Sequence, residues 1–172
     1  MNIYLTSGTP EFMKSLRNKY PNEKMIVLLG SGNSMLLHET EGKSVFQTPR
    51  SYEVIDSINQ LEDKGFFVLN HLPISDEGRP LFEHRFLSRS HVIESDPGLT
   101  AYRLLKPLNS ETYITLTEWS GPNSFEAWKA SNAYKDAFEN RVGIEGIENR
   151  NIFTSKAYVT TYTTTKNEET KD

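Results

Sequence analysis

The sequence predicts an α+β fold of the ferredoxin-like type, an antiparallel sheet with helices on one face. From Phe66 onward the apolar patterns follow the order strand, helix, strand, strand, helix, strand, which is the split βαβ order. The residues before Gly65 nearly repeat that order, although residue identities do not repeat. Because a sheet covered on one side must still bury its other side, we predict a βαββ-type N-terminal half, residues 1–65, packed on a ferredoxin-like domain, residues 66–165. An unrelated N-terminal cap is an equal alternative.

Composition excludes several classes of function. The 172 residues carry a net charge of -4 and no block of Lys and Arg, so nucleic acid is not an expected partner. The absence of cysteine excludes disulfides, thiolate catalysis, iron–sulfur clusters and cysteine-ligated zinc. The N-terminus has no basic start followed by a long apolar run, and the longest aliphatic run, Met25–Leu29, is too short to span a bilayer. We expect a soluble cytoplasmic protein.

The N-terminal half begins with a strand, a helix and a hairpin. Asn2–Ser7 alternates as a strand does. Thr9 and Pro10 are typical of a helix start, and the helix should end before Pro21. Its inward face is predicted to carry Phe12, Met13 and Leu16. Strands are then expected at Met25–Leu29 and Ser34–Thr40. The glycine-rich segment between them joins strand to strand and lacks a following GK[ST], so it indicates a turn rather than a phosphate loop.

The N-terminal half is expected to end with a short strand and a helix. The short strand is Ser44–Gln47. Pro49 and Ser51 then open a helix that reaches about Gln60, with Val54, Ile55 and Ile58 inward. Asp63-Lys64-Gly65 is the clearest boundary signal in the chain.

The C-terminal half supplies four strands and a long helix. The helix starts at Arg79 and reaches roughly Glu94, with Phe82, Phe86 and Ile93 on one face. The strands are predicted at Phe66–Leu72, Leu99–Lys106, Thr112–Trp119 and Ile152–Thr164. Residues 141–151 are expected to form a loop, and the polar residues 166–172 a disordered tail.

Four aromatic residues follow the third of those strands. Phe125 and Trp128 are three residues apart, Tyr134 and Phe138 are four apart, and on a helix each pair shares a face. Two short helical pieces are predicted, the first capped by Ser124 and the second by Ser131 or Asn132. The four rings either seal a core or form the wall of a pocket for a flat apolar ligand, and spacing leaves both open.

Two long segments carry a family resemblance. RPLFEHRFLSRSHVIESDPGLTAYRLLKP and TYITLTEWSGPNSFEAWKASNAYKDAF resemble the antibiotic-biosynthesis-monooxygenase (ABM) superfamily, and more closely its Isd-type heme-degrading monooxygenases. The segments FQTPRSYEVID and YVTTY add to the likeness, and YEVI and AYRLLKP are also similar to the staphylococcal regulators called TRAP. The resemblance implies a ferredoxin-like fold of the dimeric α/β-barrel type, in which the N-terminal half stands where simpler relatives place a second subunit. We therefore expect a monomer.

The resemblance also implies a heme site. The family uses an asparagine at a strand end, a tryptophan on a helix, and a histidine ten residues beyond that tryptophan, which binds the iron. Asn70 and Trp128 match the first two and would be the catalytic residues. Phe138 stands at the third position, and a phenylalanine has no lone pair for iron. Phe125, Tyr134 and Phe138 would line the heme.

Four histidines could replace the missing ligand: His38, His71, His84 and His91. His71 follows Asn70 and must point to the opposite sheet face, because side chains alternate along a strand. His84, on the helix that covers the sheet, is therefore the first substitute to consider. No cluster of histidines and carboxylates suggests a non-heme metal site.

The resemblance implies a heme-binding, heme-degrading monooxygenase-like protein that opens the porphyrin and releases iron, with inefficient turnover because of Phe138. One alternative is a non-catalytic, TRAP-like regulatory or binding protein that kept the fold and lost the ligand. Another is a cofactor-independent ABM monooxygenase acting on an aromatic small molecule. The expected partner is heme or another aromatic small molecule.

Overall fold

The computed structural model describes residues 1–87, 96–131 and 152–164, which contain eight strands and three helices. The strands are β1 (Asn2–Gly8), β2 (Lys24–Leu29), β3 (Ser34–Thr40), β4 (Arg50–Ile58), β5 (Phe66–Pro73), β6 (Leu99–Pro107), β7 (Thr112–Trp119) and β8 (Tyr158–Thr164). The helices are α1 (Pro10–Lys19), α2 (Arg79–Leu87) and α3 (Pro122–Lys129). No helix in these ranges is long and apolar enough to cross a membrane.

The eight strands close into one antiparallel barrel, in the order β1-β3-β2-β8-β5-β7-β6-β4. Numbered within its own quartet, β1–β4 has the order 4-1-3-2 around the barrel, and β5–β8 has the same order. The quartets meet at two seams, β2–β8 and β4–β6, so the second strand of each quartet pairs with the fourth strand of the other. This repeated order supports our proposal that the chain divides into two halves near residue 65.

Alternate residues of the strands fill the barrel. Ile3 and Leu5 of β1 point inward, as do Phe67 and Leu69 of β5. The other members of this inner cluster are Ile26, Leu28, Met35, Leu37, Tyr52, Leu61, Ala101, Leu105, Ile114, Leu116 and Tyr162. The interior is therefore a packed core whose side chains come from both quartets.

The helices and loops cover the outside of the barrel in two separate layers. Over the N-terminal quartet, Met13 of α1 packs with Met25, Val27, Leu36 and Phe46. Over the C-terminal quartet, α2 and α3 contribute to a larger aromatic cluster that includes Val68, Leu72, Phe82, Tyr113, Trp119 and Trp128. The candidate site belongs to this second layer.

The connection between the quartets covers one end of the barrel. Leu61 is buried in the interior, and the Glu62 N–H donates to Glu118 Oε1 (2.9 Å). Arg103 Nη1 donates to the carbonyl of Asn59 (2.7 Å), whose backbone has a positive φ of 58°. Arg103 Nε also donates to Glu39 Oε2 across the barrel (2.8 Å). Buried polar side chains therefore hold the connection in place.

The start of α1 follows the prediction, and its apolar face does so in part. Thr9 Oγ1 accepts the Phe12 N–H (3.2 Å), and Pro10 is the first helical residue. Met13 is fully buried and Leu16 packs beside it, but Phe12 is 61% exposed. The inward placement of Phe12 was wrong, because the residues that meet the sheet are Met13 and Leu16, three residues apart.

The predicted helix from Ser51 to Gln60 is wrong, since Arg50–Ile58 form β4. Val54 points into the barrel, whereas Ile55 and Ile58 pack on the outer cluster. A register shift between Val54 and Asp56 inserts an extra residue opposite β6. Burial on both faces together with this bulge produces apolar spacings of one and three, which imitate a helical face.

Three smaller predictions also need correction. The predicted strand Ser44–Gln47 is a series of bends that buries Phe46. The last strand begins at Tyr158 rather than Ile152. α3 begins at Pro122 after Gly121 without a side-chain cap, so Ser124 lies inside the helix and its hydroxyl pairs with Ser120 (2.7 Å). The second helical piece, the end of the long helix with Ile93, the loop 141–151 and the tail 166–172 lie outside the described residues.

Candidate functional site

Successive residues of β5 face opposite sides of the sheet, and Asn70 faces outward. Val68 and Leu72, two residues before and after it, belong to the outer cluster. His71 points inward and is 4% exposed. Asn70 lies inside the strand, three residues before Pro73, rather than at its end as predicted. Its side chain therefore has a fixed direction, set by strand pairing on both edges.

Asn70 lies in a cleft of about 470 Å³. The cleft is lined by Asn70, Leu72, Phe153, Thr154, Ser155, Lys156 and Ala157. The Asn70 side chain is half-buried and forms no hydrogen bond with any residue of the described ranges. An amide in such a position can both donate to and accept from a ligand.

Backbone contacts fix the far wall of the cleft. The Ser75 N–H donates to the Ile152 carbonyl (2.6 Å), and the Thr154 N–H donates to the Pro73 carbonyl (3.1 Å). Gly78 lies so close to Ile152 that an added Cβ would come within 2.4 Å of it. The segment from Ile152 to Ala157, which precedes β8, is thereby held against the β5–α2 loop. The sequence prediction missed this wall because it assigned the whole segment to the last strand.

Trp128 packs in an aromatic group farther along the same sheet face. It is 4% exposed and stacks on Trp119, with ring centroids 6.3 Å apart. Phe125 lies 5.6 Å from Trp119 and 6.4 Å from Phe66. Phe66 pairs with Trp119, and Asn70 is four residues further along β5, roughly 13 Å at the usual rise per residue. Asn70 and Trp128 thus share the face but lie near opposite ends of β5.

Tyr113 holds α2 on the sheet, a role that the sequence analysis did not assign. Phe82 packs 4.6 Å from the Tyr113 ring and 4.7 Å from Phe86. The Tyr113 hydroxyl donates to Glu83, which also pairs with Lys106 (3.3 Å). Burial first, and the Glu83 carboxylate second, raise the pKa of Tyr113 well above its usual range, so the hydroxyl stays a donor. This part of the site is rigid.

None of the described histidines points toward the cleft. His84 is exposed on α2, on the side opposite Phe82 and Phe86, so the structure does not bring the proposed substitute ligand to Asn70. His71 lies inside the barrel, where it stacks on Tyr158 (4.3 Å) and bonds Thr160 Oγ1 (2.8 Å). Burial, assisted by the charge of Arg50, lowers the pKa of His71 to about 4.

The remaining histidines do not complete a ligand set. His38 is buried in the N-terminal layer, and its Nε2 lies 3.0 Å from Glu23 Oε1. His91 lies outside the described residues, as do Tyr134 and Phe138. In the ranges that the structure describes, no group of three or more His, Asp or Glu side chains could hold a metal ion.

Known proteins resemble this chain in sequence over most of its length. Residues 65–140 match the family model for antibiotic biosynthesis monooxygenase (ABM). The signal transduction protein TRAP of Staphylococcus epidermidis is 28% identical over 138 residues, which are 80% of this chain and 83% of that protein. A heme-degrading monooxygenase of Listeria monocytogenes is 25% identical over 134 residues, 78% of this chain and 80% of that protein.

Solved structures confirm the ferredoxin-like fold. A major regulator of staphylococcal pathogenesis superposes with a TM-score of 0.83 at 22% identity, covering 95% of this chain and 98% of that one. A Listeria monocytogenes ferredoxin-fold protein related to antibiotic biosynthesis monooxygenases superposes with a TM-score of 0.72 at 24% identity, covering 94% of this chain and 93% of that one. LmHde, a heme-degrading enzyme from the same species, superposes with a TM-score of 0.71 at 20% identity, covering 95% of this chain and 99% of that one. Residues 65–140 therefore match the ABM family model, and the proteins similar to this chain include TRAP proteins and a heme-degrading monooxygenase.

Proposed function

We propose that this chain binds heme on the outer face of its C-terminal quartet, as a heme-degrading-monooxygenase-like protein with inefficient turnover. The observation that carries the proposal is the amide of Asn70, which has no hydrogen-bond partner among the described residues and lies in a cleft on the sheet face that also carries Trp128. Both residues lie within the segment that matches the ABM family model. The Listeria relative named a heme-degrading monooxygenase supports heme as the ligand class.

The residues present fit the macrocycle of heme better than its iron. Leu72 and Phe153 offer apolar surface to a flat ring, and the Asn70 amide can donate a hydrogen bond at its edge. Iron needs an axial ligand, and Phe138 stands where the resemblance places the family's histidine. No histidine of the described ranges points toward the cleft. The described residues therefore account for binding and orienting the ring, and not for an oxidative step at the iron.

Within this proposal each side chain acts through its own chemistry. Asn70 orients the ligand by hydrogen bonding, because strand pairing fixes its backbone. Trp128 and Trp119 are buried and stack on each other, so they make one end of this face rigid. Heme, when bound, would supply the oxygen chemistry, whereas the protein would orient the ring and exclude water from the site.

A second candidate is a non-catalytic, TRAP-like regulatory or binding protein. Two observations favour it. TRAP relatives align over 80% of the chain, and a phenylalanine at position 138 removes the ligand that a heme enzyme requires. The stacking of Trp128 on Trp119 also suits a structural role for that tryptophan.

Hemin titration followed at the Soret band tests the proposal. We expect saturable binding of one hemin per chain, with little Soret loss when ascorbate is added in air. Phe138→His should raise the rate of Soret loss, because it restores an imidazole to the family's ligand position. Phe12→His is the matched control, since Phe12 is exposed on α1 in the other half of the chain.

The outcomes separate the candidates. Saturable binding with faster loss in Phe138→His but not in Phe12→His supports the monooxygenase-like proposal. Saturable binding that Phe138→His leaves without turnover favours the non-catalytic candidate. Absence of saturable binding by the parent protein overturns the heme proposal.

A further inference from the structure

The cleft beside Asn70 is apolar on one side and cationic at its rim. Leu72 and Phe153, which line the cleft, also pack in the outer cluster. Lys156 lies at the rim and is exposed. Among residues 1–87, 96–131 and 152–164, Lys156 has no ion pair. In a chain with a net charge of -4, the rim therefore presents an unneutralised positive charge.

The backbone under Lys156 is fixed, while its side chain is free to reach a ligand. Thr154 is anchored through its N–H to the Pro73 carbonyl (3.1 Å) and through its hydroxyl to Glu111 (3.0 Å). The hydroxyl of Thr154 thus engages the Glu111 carboxylate, which forms no ion pair with Lys156. Ser155 adds a further hydroxyl to the lining.

The other lysines near the outer face are already engaged. Lys129 of α3 lies 5.4 Å above the Phe125 ring. Lys106 pairs with Glu83 at 3.3 Å. Of the three, Lys156 is the one that lines the Asn70 cleft and has no partner within the described ranges.

We propose that Lys156 binds a carboxylate of the ligand whose flat apolar body lies against Leu72 and Phe153, so that the site selects planar amphipathic acids over their neutral esters. In this arrangement the ligand carboxylate pairs with the Lys156 ammonium, and the apolar body of the ligand packs on Leu72 and Phe153. The Asn70 amide forms a hydrogen bond with a polar group at the edge of the ligand. This inference rests on the proposed function, since it names the group that the same cleft recognises. It assigns a specificity-determining residue and does not require an iron ligand.

Metal-free protoporphyrin IX and its dimethyl ester are suitable probes, because they differ only in their carboxylates and carry no iron. Binding is followed by quenching of tryptophan emission, since the two tryptophans of the chain, Trp119 and Trp128, both lie on the outer face. The proteins compared are the parent, Lys156→Met and Lys43→Met. Lys43 is an exposed lysine of a loop in the other half of the chain and provides the same change of charge.

We expect the parent protein to bind the free acid about fivefold more tightly than the ester, as for an exposed charge pair of about 1 kcal/mol. Lys156→Met should weaken binding of the free acid about fivefold and leave binding of the ester unchanged. Lys43→Met should bind both porphyrins as the parent protein does. The preference for the acid should shrink as salt is raised.

Each other result counts against the inference. Equal binding of acid and ester by the parent overturns the carboxylate selectivity while leaving the proposed function standing. A preference that survives in Lys156→Met places the recognition elsewhere, and an equal loss for both probes in that variant indicates packing rather than charge. If neither porphyrin binds the parent, the proposed function and this inference both fail.

Discussion

Glu118 is a carboxyl buried inside the barrel, and replacing it by glutamine should remove a pH-dependent cost of folding. Its side chain is 1% exposed and accepts the Glu62 N–H (2.9 Å). Burial raises the pKa of Glu118 to about 7 from its usual 4.5, and the carboxylates of Glu62 and Asp63 add to the effect. The Glu62 N–H and the charge of Lys64 oppose it.

The pH dependence of folding stability follows from the difference between the pKa of Glu118 in the folded and in the unfolded chain. The folded state keeps the proton that the unfolded chain loses above pH 4.5, so folding stability falls as pH rises from about 4.5 to about 7. At 1.36 kcal/mol per pKa unit, the total cost at higher pH is at most about 3 kcal/mol. Glu118→Gln should match the parent near pH 4.5 and exceed its free energy of unfolding above pH 7. The amide oxygen can still accept the Glu62 N–H.

Urea unfolding at several pH values between about 4.5 and 8, monitored by tryptophan emission, measures the difference. Glu77→Gln is the control, because it makes the same substitution at an exposed position. Parallel stability curves for the parent and Glu118→Gln would refute the reasoning, since they would mean that Glu118 ionises alike in the folded and unfolded chain.

Three further predictions concern the barrel. Arg103→Met should cost about 3–5 kcal/mol of unfolding free energy, because it leaves buried Glu39 with only Lys24 (3.2 Å). Lys64→Met, which removes an exposed ion pair with Glu62, should have a much smaller effect, and equal losses of the two variants in urea unfolding would contradict this. Gly65→Ala should destabilise by about 1–3 kcal/mol in the same assay, since its Cβ would meet Glu118 at 2.6 Å, and an unchanged midpoint would show that the contact relaxes. Light scattering should give a mass of 19.7 kDa, as the barrel closes within one chain, and twice that mass would count against a monomer.

Strands bounded by clear turn signals were predictable from sequence. β3 and β7 were predicted with the ends that the structure has, and the start of α1 was indicated by Thr9 and Pro10. β4 was missed because Val54 is buried on one face and Ile55 on the other, across a bulge. Single-residue periodicity cannot separate that pattern from a helix.

The candidate site was predictable only in part. Alternation along β5 correctly separated Asn70 from His71. The place of Lys156 at the rim of the cleft could not be predicted from the residues around it in sequence. It depends on backbone hydrogen bonds from residues 73 and 75, which are far away in sequence. His84 was a reasonable candidate for the iron ligand, because it lies on the helix that covers the sheet. It is two residues from the buried Phe82, however, so its side chain lies on the opposite side of the helix, in solvent.

Each quartet covers the edge strands of the other. The β2 strand of the N-terminal quartet pairs with β8, and its β4 strand pairs with β6, so the eight strands form a closed barrel. A separate four-stranded sheet would expose the backbone N–H and C=O groups of its two edge strands, and such edges can pair with another chain. Closure of the barrel therefore protects the protein against edge-to-edge aggregation, and conditions that separate the two quartets should expose four strand edges at once.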